Sequence, residues 1–436
     1  MIEFLLSIFY FILFCFIISK ISFFKDSQIP RYWFVFIYGV KVIASIFLTL
    51  LYTKYYTDRN TADIFKYFDD SLLMFEAIKT NPLDYLKMLL GVDTNYIYFT
   101  ENYYQHMNHW TRPYSSNLIS DSHIIIRFNA FVRLFSFGYF QVHNIFINFL
   151  SLFGLTLIFK AFKAFLNNKE KVLFYIIFFL PSILFWGSGL LKESIIFLGL
   201  GLFIYFLFRI INQFKFIYLL PIFIGIFLII FTKLYLLIAL FIPVLGYLIN
   251  HYIAFRKPFF GYLISIVLFF ITINLSPFIH QQLNIVTQIV NKQQTFSRFI
   301  AKVETNSGFI IPELSDGFSI LINIPNALLN TIIRPFLWEC SSLFVWLSAF
   351  ENIAIISCII IALISRKKMN AVQQNIFYFN ITFVFSLFII IGLTTPVFGA
   401  IIRYKIPGLI LLLISLLLLV DLEKIKTKNS FLNKIL

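Results

Sequence analysis

The chain has 436 residues, of which 60% are hydrophobic, 20% aromatic and 13% charged, with a formal net charge of +15. Repeated apolar runs of about 18 residues or more exclude a soluble globule and predict membrane-spanning helices. Ten-residue alternating strand patterns are absent, and in hydrocarbon helices satisfy every backbone group internally.

The first run, MIEFLLSIFYFILFCFIISK, has Glu3 where a cleavable signal has basic residues, and no small-residue cleavage site follows; it reads as a retained helix. Further runs fall near residues 33–53, 140–160, 171–187, 191–211, 216–232, 234–250, 258–276, 341–365, 374–394 and 406–420. The expected fold is one all-α polytopic membrane domain over residues 1–436, with about eleven transmembrane helices. Basic residues gather in alternate connections: Lys20 to Arg31, Lys160 to Lys171, Arg209 and Lys215, Arg256 and Lys257, Arg366 to Lys368, and Lys424 to Lys434. The positive-inside rule makes these cytoplasmic, and that side, with the whole tail after residue 420, holds 18 of the 35 Lys and Arg but 4 of the 20 Asp and Glu. The net charge is then a topology signal and predicts no nucleic-acid partner. Cys15, Cys340 and Cys358 are scattered, without CxxC or Cys/His spacing.

Two long segments, 54–139 and 277–340, fall on the opposite, outer side. In the first, TADIFKYFDDSLLMFEAI has a candidate cap at Thr61 and apolar residues at Ile64, Phe65, Phe68, Leu72, Leu73 and Phe75. Its polar face carries Asp63, Lys66, Asp69, Asp70 and Glu76, as in a helix lying along the bilayer surface. NPLDYLKMLLG predicts a second short helix, between Pro82 and Gly91, and DSHIIIRFNAFVRLFSFG a third, capped by Asp121. A carboxylate at Asp63, Asp69 or Asp70 suits a general base on an acceptor hydroxyl, or a divalent cation bridging to phosphate. The alternative is a solvated polar face. His106 and His109 form a close pair without a third ligand, which favours solvated loop histidines.

FWGSGLLKES puts Lys192 and Glu193 at the outer start of an apolar helix. A cation there opposes the helix dipole at a cost of roughly 0.3–1 kcal/mol. Two readings stay open. Either an anionic ligand compensates, with Gly187 and Gly189 letting it approach the backbone, or Lys192 snorkels to the interface beside Glu193. Downstream, Arg334, Glu339 and Glu351 lie in NTIIRPFLWECSSLFVWLSAFEN beside Trp338 and Trp346, and Arg403 and Lys405 lie in FGAIIRYKIP. Glu351 sits within an apolar run and needs a partner; Lys41 and Lys233 are read as neutralising carboxylates.

The early Asp63 and Tyr67 of DIFKYF, in a long loop ahead of a many-helix bundle, resemble the GT-C superfamily of polyprenyl-phosphate-sugar-dependent membrane glycosyltransferases. NPLDYLKMLLG, NIFINFLSLFGLTLIFKAFKAF and PSILFWGSGLLKESIIFLGLGLFIYFLFR are similar to segments of bacterial members, with RPFLWE and RYKIP downstream. The likeness covers most of the chain, mainly as hydrophobic texture; FWGSGLLKES, RPFLWE and RYKIP are its specific parts. It implies that Asp63 is the catalytic base and that Lys192, Arg403 and Arg334 hold the carrier phosphate; Tyr67, Glu193, Glu339 and Lys405, in the same motifs, are the further expected substrate- or phosphate-binding residues. The loop follows the second helix instead of the first, and the acidic pair is Asp69–Asp70, so the base stays open among three aspartates.

Three functions follow. The first is a transferase moving a sugar from a polyprenyl-phosphate donor to an acceptor glycan or lipid at the outer face of the cytoplasmic membrane. The second is an O-antigen-type polysaccharide polymerase, which the early position of the larger loop disfavours. The third is a lipid-glycan flippase or transporter, which predicts mid-membrane charges, broken helices and paired repeats.

Overall fold

The computed structural model describes residues 1–55, 58–60, 62–92, 94, 97–110, 120–281, 284–303, 307–422 and 424. Among these the backbone pairs almost wholly within helices, and the only bridges are Gly308 with Val397 and Arg366 with Val420. The chain forms two compact units. The first is Met1–Ser115, Ile119–Ala161 and Phe178–Leu234; the second is Ser116–Leu118, Phe162–Ile177 and Tyr235–Leu436.

The first unit opens with α1 (Ile2–Lys20) packed on α2 (Arg31–Lys54). α3 (Asp63–Thr80) follows Ala62, which makes no side-chain cap bond; Thr61 lies outside the described residues. The buried stripe of α3 is rotated from the expected one. Leu72 is exposed, while Tyr67, Asp70, Ser71 and Met74 are buried. α4 (Pro82–Leu90) starts and stops where Pro82 and Gly91 predict, with Gly91 at φ 72°. After α5 (Ile97–Asn102) comes α6 (His123–Ser136), whose N-cap is Ser122 and not Asp121. α6 explains the rotation of α3. Arg133 donates from Nε to Ser71 Oγ at 2.8 Å and from Nη2 to the Phe68 carbonyl at 2.7 Å, pulling that face inward.

α7 (Phe140–Lys163) is a long apolar helix. The run at 171–187 is not one span. Pro181 holds Leu180 extended (φ −61°, ψ 125°), so the chain breaks into α8 (Glu170–Phe179) and α9 (Pro181–Trp186). α10 (Lys192–Asn212) meets α7 backbone to backbone: a Cβ on Gly201 would lie 2.3 Å from the Gly154 carbonyl oxygen. The runs at 216–232 and 234–250 are two helical stretches that meet at a kink, numbered together as α11 (Leu219–Ile253); Lys233 at the kink has φ −152° and ψ 87°, which are not helical.

The second unit holds α12 (Phe259–Ile279), α13 (Ile285–Val303), α14 (Gly317–Ile322), α15 (Ile324–Ile332), α16 (Leu343–Ile364), α17 (Ala371–Thr394), α18 (Phe398–Tyr404) and α19 (Ile406–Leu419). α17 is its hub, packing on α12, α13, α15 and α19. Lys169 Nζ donates to the Leu417 and Val420 carbonyls at 2.6 and 2.5 Å, satisfying the C-terminal end of α19. Burial pushes the Lys169 ammonium down to about 8.

Eight described helices are long and apolar enough to cross a membrane, nine if α18 and α19, bent by 55°, make one broken span. The chain is an all-α multi-pass membrane protein. Of the eleven expected runs, that at 171–187 is broken before Pro181, and those at 216–232 and 234–250 meet at the kink of Lys233.

Candidate functional site

Leu191 is extended (φ −120°, ψ 158°), so the chain enters α10 with Lys192 as the first helical residue. The lysine is only 3% exposed, and its compensation comes from a residue that sequence spacing assigns elsewhere. Lys192 Nζ lies 2.8 Å from Asp121 Oδ1. Asp121 Oδ2 lies 3.5 Å from Lys233 Nζ, the residue at the break in α11. A side chain at a non-helical position leaves the helix surface on its own trajectory, which lets Lys233 turn to the carboxylate.

Tyr67 supports the arrangement. Its ring centroid is 5.4 Å from Lys192 Nζ, within cation–π range, and it stands edge-on to His109 at 5.2 Å. Glu193 is buried in the first turn of α10 beside Lys192. One buried centre thus gathers two ammonium groups, a carboxylate and an aromatic face from α3, the start of α6, α10 and α11.

The GSG segment is filled by the protein itself. A Cβ on Gly189 would lie 2.2 Å from Leu48 Cδ2, and one on Gly187 would lie 2.5 Å from both the Ile183 carbonyl oxygen and Phe197 Cε2. These glycines therefore serve helix packing, which corrects the expectation that they admit a ligand. The Gly187 carbonyl accepts from Lys41 Nζ at 2.7 Å, Ser151 Oγ at 2.7 Å and Ser194 Oγ at 3.0 Å. Lys41, expected to neutralise a carboxylate, instead donates to this carbonyl and to Ser188 Oγ at 3.2 Å. For Lys233 the neutralising role is the one observed.

The three loop aspartates stand in different surroundings. Asp69 is half-exposed and takes a two-pronged pair from Arg59, at 2.7 and 2.9 Å. Asp70 is buried, and each of its oxygens accepts a backbone N–H at 2.7 Å, from Asn108 and from His109. Burial raises its carboxyl above the usual range, against the two N–H groups that favour the anion. Asp70 thereby anchors the turn that carries His109 to Tyr67. Asp63 is half-buried at the start of α3, one turn before Tyr67 and on the same face. A fourth acid, Asp84, is buried and accepts from Tyr98 at 2.8 Å and Tyr103 at 3.0 Å.

His106 Nε2 lies 3.3 Å from Gln105 Nε2 on the surface. Among the described residues no three His, Cys, Asp or Glu side chains gather as a cation site requires.

In the second unit, Arg334 Nη2 pairs with Glu339 Oε1 at 3.0 Å, its guanidinium 4.6 Å from the Phe309 ring centroid. Glu339 Oε2 accepts from the Phe336 N–H. Lys405 is buried and donates to Asn352 Oδ1 at 2.7 Å and the Thr331 carbonyl at 3.1 Å. Glu351 adjoins Asn352 in α16, the residue that accepts from Lys405. Arg403 is half-buried in α18, while Trp338 is largely exposed.

Neither a family model, nor a curated protein, nor a solved structure matches this chain. Sequence reasoning missed Asp121 as a charge partner. The signal it offered, an acid just ahead of an apolar-periodic segment, is also that of a helix cap.

Proposed function

We propose that the protein is a membrane glycosyltransferase that takes a sugar from a polyprenyl-phosphate carrier and delivers it to an acceptor glycan or lipid. The observation that carries this reading is the convergence of Lys192 and Lys233 on Asp121 at the N-terminus of α10. Two ammonium groups at the N-terminal end of a helix suit a leaving phosphate. In the reaction an acceptor oxygen bonds to the anomeric carbon as the bond from that carbon to the phosphate oxygen breaks. The acceptor proton passes to a carboxylate, and the electron pair leaves on the carrier phosphate, beside the two lysines. Asp63 takes the role of base. It opens α3 one turn from Tyr67, whose ring Lys192 covers. The resemblance to GT-C enzymes supports the same assignment, and the acceptor side is expected at the outer membrane face.

A transporter reading is favoured by one feature: the helix breaks at Lys233 and between α18 and α19. One experiment separates the readings. Lipid-linked and surface glycans are compared by mass spectrometry in a strain lacking the gene, complemented with wild type or Asp63→Asn. A transferase with Asp63 as base gives loss of one sugar from an otherwise intact chain, restored by wild type but not by Asp63→Asn. Collapse of a ladder to single repeats indicates the polymerase. Accumulation of complete lipid-linked glycan indicates the transporter, and unchanged glycans refute all three.

A further inference from the structure

The first unit contains a cavity of about 530 Å³, within the size range of small-molecule sites and distinct from the lysine centre. Its polar lining is made of Arg127, Tyr104, Thr94, Thr100 and His123, with no carboxylate among the described lining residues. Arg127 is fixed by Nε, which donates to the Met88 carbonyl at 2.9 Å, and its guanidinium lies 5.4 Å from the Trp110 ring centroid. Among the described residues no Asp or Glu pairs with it. Gly91 keeps room for its fork: a Cβ there would lie 2.7 Å from Arg127 Nη2.

The aromatic side of the cavity is fixed. Tyr104 is 5% exposed, its hydroxyl buried beside Thr94. The ring is held rigidly, stacked on Trp110 at 4.3 Å, with Trp110 stacked in turn on His123 at 3.6 Å. The other wall is apolar, from Leu90, Phe227 and Phe231.

We propose that this cavity binds an anionic monosaccharide unit, a sugar ring bearing a carboxylate or a phosphate. The fork of Arg127 meets the anionic group bidentately. The two threonines offer both donors and acceptors to ring hydroxyls, and the Tyr104 ring, stacked on Trp110, closes the aromatic side. The apolar wall takes a C–H face of the ring. A bare inorganic anion leaves most of the volume and the phenylalanine wall unused. That this sugar is part of a transferase substrate rests on the function proposed above; its binding does not.

The test is isothermal titration of the detergent-solubilised full-length protein with glucuronate, glucose 1-phosphate, glucose and inorganic phosphate. One or both sugar anions bind, and the tighter one identifies the anionic group. Arg127→Gln weakens that binding by about tenfold or more, and Arg127→Lys retains part of it. The proposal is overturned if glucose binds as tightly as the anions, if inorganic phosphate matches the sugar phosphate, if none of the four binds, or if Arg127→Gln leaves affinity unchanged. Sugar binding with unchanged glycans in the deletion strain sinks the proposed function and leaves the cavity assignment standing. Glycans that depend on Asp63, with no binding here, sink the cavity assignment alone.

Discussion

Replacing Asp121 by Asn removes the one carboxylate that Lys192 and Lys233 are seen to share while keeping the side chain's size. Lys192 is 3% and Lys233 8% exposed, so neither ammonium can recover its hydration without local opening. Removing one partner of a buried ion pair costs about 3–5 kcal/mol, because the remaining charge stays desolvated. Lys233→Met acts on the weaker contact, at 3.5 Å, and leaves Asp121 with Lys192 at 2.8 Å. Its cost is smaller, on the order of 1 kcal/mol. Thermal unfolding of the purified protein in detergent, followed by tryptophan fluorescence, should rank wild type above Lys233→Met and both well above Asp121→Asn. An inorganic anion should restore part of the Asp121→Asn loss if the two lysines form an anion site. An Asp121→Asn midpoint equal to wild type, or a lower midpoint for Lys233→Met than for Asp121→Asn, would refute the charge-sharing argument.

Lys169 gives a pH dependence with a definite sign. Its folded-state value is lowered to about 8 from an ordinary 10.5, so between these values the unfolded chain binds more protons and stability rises with pH. That rise should vanish in Lys169→Met, whose midpoint should also fall at all pH values, because the Leu417 and Val420 carbonyls lose their donor. Gly201→Ala tests the contact of α7 with α10. A methyl group 2.3 Å from the Gly154 oxygen forces the helices apart, which should cost about 1–3 kcal/mol in the same thermal assay.

Much of the local architecture is legible in the sequence because it depends on neighbours along the chain. Pro82 and Gly91 bound α4 through their own backbone constraints, and the apolar run that follows Lys192 fixes the start of α10. The rest depends on distant partners. Asp70 looks like part of a polar face, and only the approach of residues 108 and 109 makes it a buried anchor. Leu72 looks like core, but Arg133 turns α3 so that Leu72 faces outward. Asp121 resembles a cap until α10 and α11 bring their lysines to it. In the span count, hydropathy reports apolar length but not continuity. It therefore overlooks the fracture before Pro181, whereas the polar Lys233 marks the kink in α11.

The crowded carbonyl of Gly187 has a consequence for assembly. Interlocking Phe and Leu side chains in lipid allow many sliding positions of nearly equal energy, since lipid tails solvate those side chains as well as a neighbouring helix does. One oxygen that collects donors from α2, α7 and α10 has a single solution. It works as a vernier mark: a shift of any of the three helices by one residue strands the Lys41 ammonium or a serine hydroxyl in an apolar medium. An otherwise slippery bundle is thereby indexed at one point, and a change at Lys41, Ser151 or Ser194 should show first as loss of a unique helix alignment.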